Sequence, residues 1–470
     1  MHRSSWFLAL ILCGASITVG QDIQVTQDIQ ETIENSTPIA AFSAGQSRVF
    51  EMKQGDLVRV SGKRTGSAAG IFGIEAYVYN ADKSLVAKDD PDTDQAYFEW
   101  KAPADQSFYV LVRNISPVDG AFSIIVLRGA KAGVAIGNAE FATVKVYYAT
   151  NRVPAAGNGG SAPYYLADSQ QGESYAQGSA LVTIPRDHQL GELEGPAIYR
   201  LEFTADPAKH VALSKVVPEG DANKFFADIR DRVSGTPRKE AFVFVHGFNV
   251  SFEDALRRTA QLSYDLGYAG AAIAFSWPSQ GSSLAYYRDV TTADTSAAAL
   301  RAFLVDLSEK SGAATIHLIA HSMGNRVLGR ALETMAARPI TDPHFKEIAL
   351  LAPDVDAELL RQMSAAIRIR AERVTLYSST HDEALRLSSK LAGKPRAGQK
   401  VLFISGIQSI DASSAKTNML DFSHSYFGDS SSVLGDLFRL LQGDPPEARF
   451  ALERVDSAAG IYWRFKRFAR

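Results

Sequence analysis

The run Ile316-His317-Leu318-Ile319-Ala320-His321-Ser322-Met323-Gly324-Asn325 constrains this chain more than any other stretch. An apolar segment stops at a serine, and helical periodicity follows at once through Val327, Leu328, Ala331 and Met335. Strand, sharp turn and helix in that order are the layout of a nucleophile elbow, which raises one hydroxyl above the carboxyl edge of a sheet. So tight a turn needs small residues two before and two after the serine, and Ala320 and Gly324 stand there. Glycine is the usual residue at the first of these positions, so alanine is a mild departure.

The surrounding pattern suits such a turn. Residues 144–148 read as a strand, and the apolar runs at 241–245, 272–275, 316–320, 347–351, 374–377 and 401–404 read as strands buried on both faces. Helical spacing separates them, for example Phe252, Leu256, Leu262 and Leu266, with Ser251 placed as the N-cap. Alternation of this kind predicts an α/β domain with a mostly parallel sheet, spanning residues 138–445. A Gly/Ser/Tyr-rich stretch at residues 157–177 reads as an exposed loop, and residues 446–470 as a C-terminal tail.

Ahead of this lies a different pattern. Residues 48–50, 57–60, 76–79, 108–112 and 122–126 are short strand candidates separated by turn clusters such as Asn80-Ala81-Asp82. They predict a small antiparallel β-sandwich over residues 36–128, joined to the second domain by a Gly/Ala-rich linker at 129–137. Phe42 and Gly45 before the first strand, the strand–Asn-Ala-Asp–strand segment, and the Tyr109 strand before Asn114 resemble the bacterial pre-peptidase C-terminal domain. That resemblance implies an accessory module of a secreted enzyme, with no ligand specified. Asp89, Asp90, Asp92 and Asp94 are oxygen donors of the type calcium takes. They lack the glycine and terminal glutamate of an EF-hand, which favours a solvated acidic turn.

The first residues read as an export signal over 1–20: His2 and Arg3, an apolar core from Trp6 to Cys13, then Thr18-Val19-Gly20 before Gln21. Cys13 is the single cysteine, so the processed chain would contain none. The expected setting is periplasmic or secreted, without a transmembrane segment in the mature protein. A formal net charge of −3 and no concentrated basic stripe give no electrostatic footprint for nucleic acid.

The chemistry turns on Ser322. A serine hydroxyl needs a base to take its proton and an acid to balance that base. In α/β-hydrolases these follow in the order serine, acid, histidine, on loops after successive strands. His424 lies beyond the last expected strand and precedes an amphipathic helix through Val433, Leu437 and Leu440. Asp382, after the strand ending at Tyr377, is the chosen acid, and Asp356, one loop earlier, is the alternative. Whichever is not the acid fits a helix N-cap. His321 and His381 are each adjacent to a proposed catalytic residue and so should point elsewhere. The backbone N–H groups of Met323 and Phe248 are the expected oxyanion donors, the latter from the loop His246-Gly247-Phe248-Asn249. His246 precedes the serine and is read as orienting that loop.

Taken together, several segments resemble a bacterial α/β-hydrolase family catalogued as a domain of unknown function, family nine hundred. They are Tyr147-Tyr148-Ala149-Thr150-Asn151-Arg152, Phe244 through Asn249, Phe275-Ser276-Trp277-Pro278-Ser279, Ala320 through Arg326, Ala352-Pro353-Asp354-Val355-Asp356 and His424-Ser425-Tyr426-Phe427. The resemblance covers about residues 144–441 and implies an esterase- or lipase-like fold with a serine nucleophile; within that family Ala320 is no departure. It implies no substrate. An Asn151–Arg152 pair could hold a substrate carboxylate or phosphate, or tie strand and helix ends together. The aromatics from Trp277 to Tyr287 could wall an acyl pocket or simply pack.

The expected function is an exported carboxylic-ester hydrolase acting without metal or organic cofactor on a small-molecule or lipid-like ester. The short segment after Asp356 leaves little room for a lid, which favours a small or exposed ester. Amide or peptide hydrolysis on the same triad is one alternative. A non-catalytic cell-envelope binding protein on a hydrolase scaffold is another.

Overall fold

A computed structural model describes residues 30–466 except 42, 55, 65–73, 89–96, 115–118, 128–140, 156–163, 186–187, 189–192, 196–205, 208, 237, 281–285, 338–343, 415–430 and 450. The export signal, the acidic turn at Asp89–Asp94, the linker and His424 lie outside the described residues.

The N-terminal part consists of β1 (Gln30–Ile39), β2 (Ala44–Gln46), β3 (Phe50–Met52), β4 (Leu57–Arg64), β5 (Ile74–Asn80), β6 (Leu85–Lys88), β7 (Tyr97–Lys101), β8 (Gln106–Asn114) and β9 (Gly120–Leu127). They form two antiparallel sheets, β1-β9-β4-β7 and β2-β8-β5-β6, with β3 also paired to β8. Alternation decides which side chains face inward. Ala76 and Val78 of β5, Phe108, Val110 and Val112 of β8, and Phe122, Ile124 and Val126 of β9 share one core. Trp100 meets Phe108 edge-on across it at 5.0 Å. This β-rich unit agrees with the expected antiparallel architecture.

The remainder begins with β10 (Phe141–Thr150), the short pair β11 (Arg152–Pro154) and β12 (Tyr165–Ser169), β13 (Ala176–Pro185) and β14 (Ala212–Pro218). Then come α1 (Ala222–Ser234), β15 (Glu240–Val245), α2 (Phe252–Asp265), β16 (Ala271–Ser276), α3 (Tyr286–Lys310), β17 (Thr315–His321) and α4 (Gly324–Ala336). The chain continues through β18 (Phe345–Leu351), α5 (Ala357–Ile369), β19 (Ala371–Ser378), α6 (Glu383–Ala392), β20 (Gln408–Asp411), α7 (Ser431–Leu441), β21 (Leu452–Ser457) and β22 (Gly460–Phe465). One large mixed sheet runs β14-β13-β10-β16-β15-β17-β18-β19-β20-β22-β21. Pairing is parallel from β10 across to β22 and antiparallel at both edges.

The apolar runs are continuous because helices cover both faces. In β15, Phe242 and Phe244 join the core that includes Phe252 and Leu256 of α2 and Leu434 and Leu437 of α7. Ala241, Val243 and Val245 enter the other core with Phe303 and Leu304 of α3 and Val327 and Leu328 of α4. Ser251 caps α2 as expected, its Oγ accepting from the Asp254 N–H at 3.0 Å, an arrangement worth about 1 kcal/mol. No helix among the described residues is long and apolar enough to cross a membrane.

Three expectations need correction. Residues 401–404 are not a strand; the backbone partner of β19 is the more polar β20, and Leu402 instead packs into the core. The stretch 157–177 contains β12 and the start of β13. Residues 446–470, expected as a tail, contribute the β21–β22 hairpin, whose second strand pairs with β20 and extends the sheet.

Candidate active site

The parallel strands end together, and the loops at that edge carry Phe248, Ser322, Asp356 and Asp382. Ser322 follows β17 directly with φ +51°, a left-handed conformation that side chains rarely adopt. The strain is held by a set of hydrogen bonds. The Ser322 N–H donates to Leu351 O at 3.0 Å, and Ser322 O accepts from the Asn325 and Asp354 N–H groups at 3.2 and 3.1 Å. Asn325 Nδ2 also donates to Ser322 O and Leu351 O at 2.9 and 3.1 Å. Asn325 therefore fastens the elbow to the end of β18, a role the sequence did not reveal.

The Ser322 hydroxyl is buried, and among the described residues its Oγ has no hydrogen-bond partner. A buried hydroxyl with no partner at all costs about 1–3 kcal/mol, so buried hydroxyls are normally paired. Two glycines make the site possible. A Cβ on Gly324 would stand 2.4 Å from the carbonyl oxygens of Val245 and His246, and one on Gly247 would stand 2.8 Å from Ser322 Cβ. The His-Gly loop after β15 thus lies directly against the serine. Among the described residues, neither the Phe248 nor the Met323 N–H donates to a backbone carbonyl.

That loop is braced from behind. His246 is buried and stacks on Trp277 with ring centroids 5.3 Å apart and an angle of 9°. Trp277 Nε1 donates to His246 O at 2.7 Å, and His246 Nδ1 donates to Gly247 O at 2.8 Å. Burial, aided by the nearby Arg152 charge, lowers the His246 pKa to about 3, so it is neutral at ordinary pH. This fits the orienting role read for it. Trp277 is wholly buried here, so for this ring the packing alternative holds.

Arg152 does not reach outward to a ligand. Its guanidinium donates to Ser276 Oγ, Ser279 O and Val250 O at 3.0, 3.2 and 2.9 Å, joining β16 and two loops. Asn151 donates to Ser296 Oγ at 3.0 Å, and Arg326 makes a two-point contact with Asp294 at 2.8 and 2.7 Å. For all three, the tying role is the observed one.

Both candidate acids cap helices. Asp382 accepts from the Leu385 N–H at 2.8 Å at the start of α6. Asp356 accepts from the Glu358 and Leu359 N–H groups at 2.9 and 3.0 Å at the start of α5. His381 is turned toward the end of β20, where its Nδ1 donates to Ser413 O at 2.8 Å. The Thr380 N–H donates to Ser413 Oγ at 2.9 Å, so the chain leaves β20 for the segment bearing His424 beside the Asp382 loop. His321 is buried, with its Nδ1 beside Gly247.

A second polar cluster supports the elbow. Asp354, buried, accepts from Tyr286 at 3.2 Å and from Ser388, and lies 3.2 Å from Arg396 Nε. Tyr286 in turn packs edge-on against Phe248, ring centroids 5.4 Å apart. Burial and the Asp354 charge push the Tyr286 phenol up to about 12. Asp354 belongs to a quoted motif, but Ser388 and Arg396 are contributed by distant segments and carried no signal in the sequence. Among the described residues, no three His, Cys, Asp or Glu side chains group as a metal site.

Comparisons with known proteins add the following. No curated protein matches this sequence. Among solved structures, PliG of Aeromonas hydrophila, a periplasmic inhibitor of g-type lysozyme, is 11% identical, with 22% of this chain and 85% of that one covered and a TM-score of 0.15. The Gap123 glycosylation-associated complex of Streptococcus agalactiae is 9% identical over 81% of this chain and 94% of that one, at 0.15. Dimeric latent PorU of Porphyromonas gingivalis is 10% identical over 65% and 31%, at 0.17. Likenesses this low carry no argument about fold or function. The family-level match is different in kind: residues 221–442, which hold the His-Gly loop, the elbow and both candidate acids, match the family described as an alpha/beta hydrolase of unknown function (DUF900).

Proposed function

We propose that this protein is an exported serine hydrolase that cleaves carboxylic esters. Ser322 Oγ attacks the acyl carbon while His424 takes its proton. Asp382 balances the resulting imidazolium, and the Phe248 and Met323 N–H groups receive the charge that develops on the acyl oxygen. His424 returns the proton to the leaving alkoxide. Water, activated by the same histidine, then releases the acid and restores the serine.

The observation that carries this reading is the state of Ser322. It is a strained residue with a buried hydroxyl that has no partner among the described residues, pressed against the glycine of a His-Gly loop. The surrounding hydrogen bonds maintain the strained backbone, and strain of this kind clusters at working sites. The choice of Asp382 rests on its loop, which lies beside the point where the chain leaves β20 for His424. Export rests on the apolar run from Trp6 to Cys13 and the lack of any later cysteine. The α5 helix takes up most of the connection from β18 to β19, consistent with an ester that is small or presented at the surface.

The test is turnover of short p-nitrophenyl esters beside peptide p-nitroanilides. Ester cleavage that Ser322→Ala lowers at least a thousandfold is the expected outcome. Faster cleavage of the anilides would move the assignment to amide hydrolysis, and a wild-type chain inert toward both would overturn it.

A further inference from the structure

The outer face of α6 presents an arrangement that the reaction does not use. Ser388 points inward to the Asp354 cluster, while Leu387 and Leu391, four residues apart, point outward and are 59% and 47% exposed. Tyr287, 65% exposed, lies over the end of the same helix, its hydroxyl donating to Leu391 O at 2.7 Å. Large apolar side chains grouped at the surface mark a site of contact.

Charge narrows what makes that contact. Residues 383–400 contain Arg386, Lys390, Lys394, Arg396 and Lys400 against Glu383 alone, in a chain whose formal net charge is −3. Of these, Arg396 is buried against Asp354, Arg386 pairs with Glu383, and Lys394 approaches Asp356 at 3.9 Å while remaining 72% exposed. Lys390 is exposed between the leucines. Exposed leucines on a helix that also carries Lys390, with Lys394 just past its C-terminal end, suit an interfacial element that seats its apolar side chains below anionic headgroups. Three apolar side chains offer far less than the roughly 800 Å² per partner of a stable protein interface. A bilayer needs no such area, since each buried apolar group and each nearby cation adds to partitioning separately.

The patch is also connected to the site. Ser388 hydrogen-bonds Asp354, the Asp354 N–H holds Ser322 O, and Tyr286 packs between Tyr287 and Phe248. The exposed patch is therefore one helix thickness from the elbow and continuous with the oxyanion loop through two aromatic contacts. We propose that the outer face of α6, with Tyr287, docks on an anionic lipid surface. On the ester-hydrolase reading, on which this part rests, docking sets Ser322 to act on esters presented at that surface.

The test places an environment-sensitive fluorophore on Leu391→Cys in a Cys13→Ser background, using the full chain, whose only native cysteine is Cys13. Vesicles of phosphatidylcholine alone are compared with vesicles one-third phosphatidylglycerol. A blue shift with the anionic vesicles, and little with the neutral ones, is expected. Lys390→Gln/Lys394→Gln should weaken partitioning about 25-fold, from two lost cations near the surface. The apolar N-terminal run is common to parent and double variant, so the difference between these two reports the α6 face. No shift with anionic vesicles, partitioning unaltered in the double variant, or a shift that grows with protein concentration without vesicles would overturn the proposal; the last would indicate a second copy. Ester turnover by the chain that keeps Ser322, read beside the vesicle shift, separates the two ideas. A shift with no ester turnover removes the hydrolase reading alone, and turnover with no shift removes the docking surface alone.

Discussion

Gly324→Ala is the substitution whose effect follows most directly from the geometry. The new methyl would lie 2.4 Å from both Val245 O and His246 O, which are backbone atoms of β15 and its loop. Relieving that overlap requires the elbow helix and the oxyanion loop to separate by roughly 1 Å. Overpacking of this kind costs about 1–3 kcal/mol, offset in part by the better helix propensity of alanine, worth up to about 1 kcal/mol. A net loss of about 1–2 kcal/mol is expected from urea unfolding. The catalytic consequence is larger, because a displacement of about 1 Å between nucleophile and oxyanion donors can lower the rate about a hundredfold. Gly329→Ala, one turn and a residue later in the same helix, is the control. Its methyl meets only the flexible Met363 thioether, at 2.8 Å, so stability and turnover should stay near wild type. Gly324→Ala with kcat/KM within threefold of wild type and unchanged stability would refute the reasoning.

Other expectations follow from the same structure. Asparagine caps helices as well as aspartate does, so Asp382→Asn tests charge rather than capping; it should lower kcat by orders of magnitude, with Asp356→Asn near wild type, and the reverse result would transfer the acid role. Burial raises the Glu347 pKa to about 7 despite Arg373 at 3.5 Å. The folded state therefore holds that proton more tightly than the unfolded state, and stability contributed by this group should fall as pH rises from about 4.5 to 7. Glu347→Gln should flatten that slope in melting curves across the window, and an unchanged slope would contradict the assignment. His246, neutral with a pKa near 3, should not contribute the acidic limb of the kcat/KM profile near pH 6–7; His424→Ala should abolish turnover, while His246→Asn should lower kcat and leave the position of that limb unchanged.

Much of this architecture was legible because both period and punctuation were strong. The runs at 241–245 and 316–320 are apolar on both faces and became central strands, and Ser251 marked a helix start that the structure reproduces. What failed was at the edges. β13 opens with the polar Ala176-Gln177-Gly178-Ser179 before its apolar half at 180–184, and β21 carries Glu453, Arg454 and Asp456, so β21 and the start of β13 lack the apolar signature of a buried strand. Conversely, residues 401–404 are apolar because Leu402 covers the core, while the polar residues of β20 make the backbone pairs. Strand membership there depends on main-chain hydrogen bonding, which side-chain hydropathy does not encode.

The site was legible to a similar extent, and for related reasons. The elbow announces itself through small residues around Ser322, since close backbone approach excludes larger ones. The acids do not, because Asp382 and Asp356 both stand where a helix cap is wanted. The bracing of His246 by Trp277, and of Asp354 by Ser388 and Arg396, joins segments far apart in sequence. The local excess of cations between 383 and 400 was hidden inside a chain of modest net negative charge.

A fluorophosphonate probe, followed by peptide mapping of the adduct, measures the reactivity of this one hydroxyl. Covalent modification of Ser322, prevented by His424→Ala and absent from Ser322→Ala, is the expected result. A native, folded chain that leaves Ser322 unmodified, or that takes the probe at another side chain, would contradict the account.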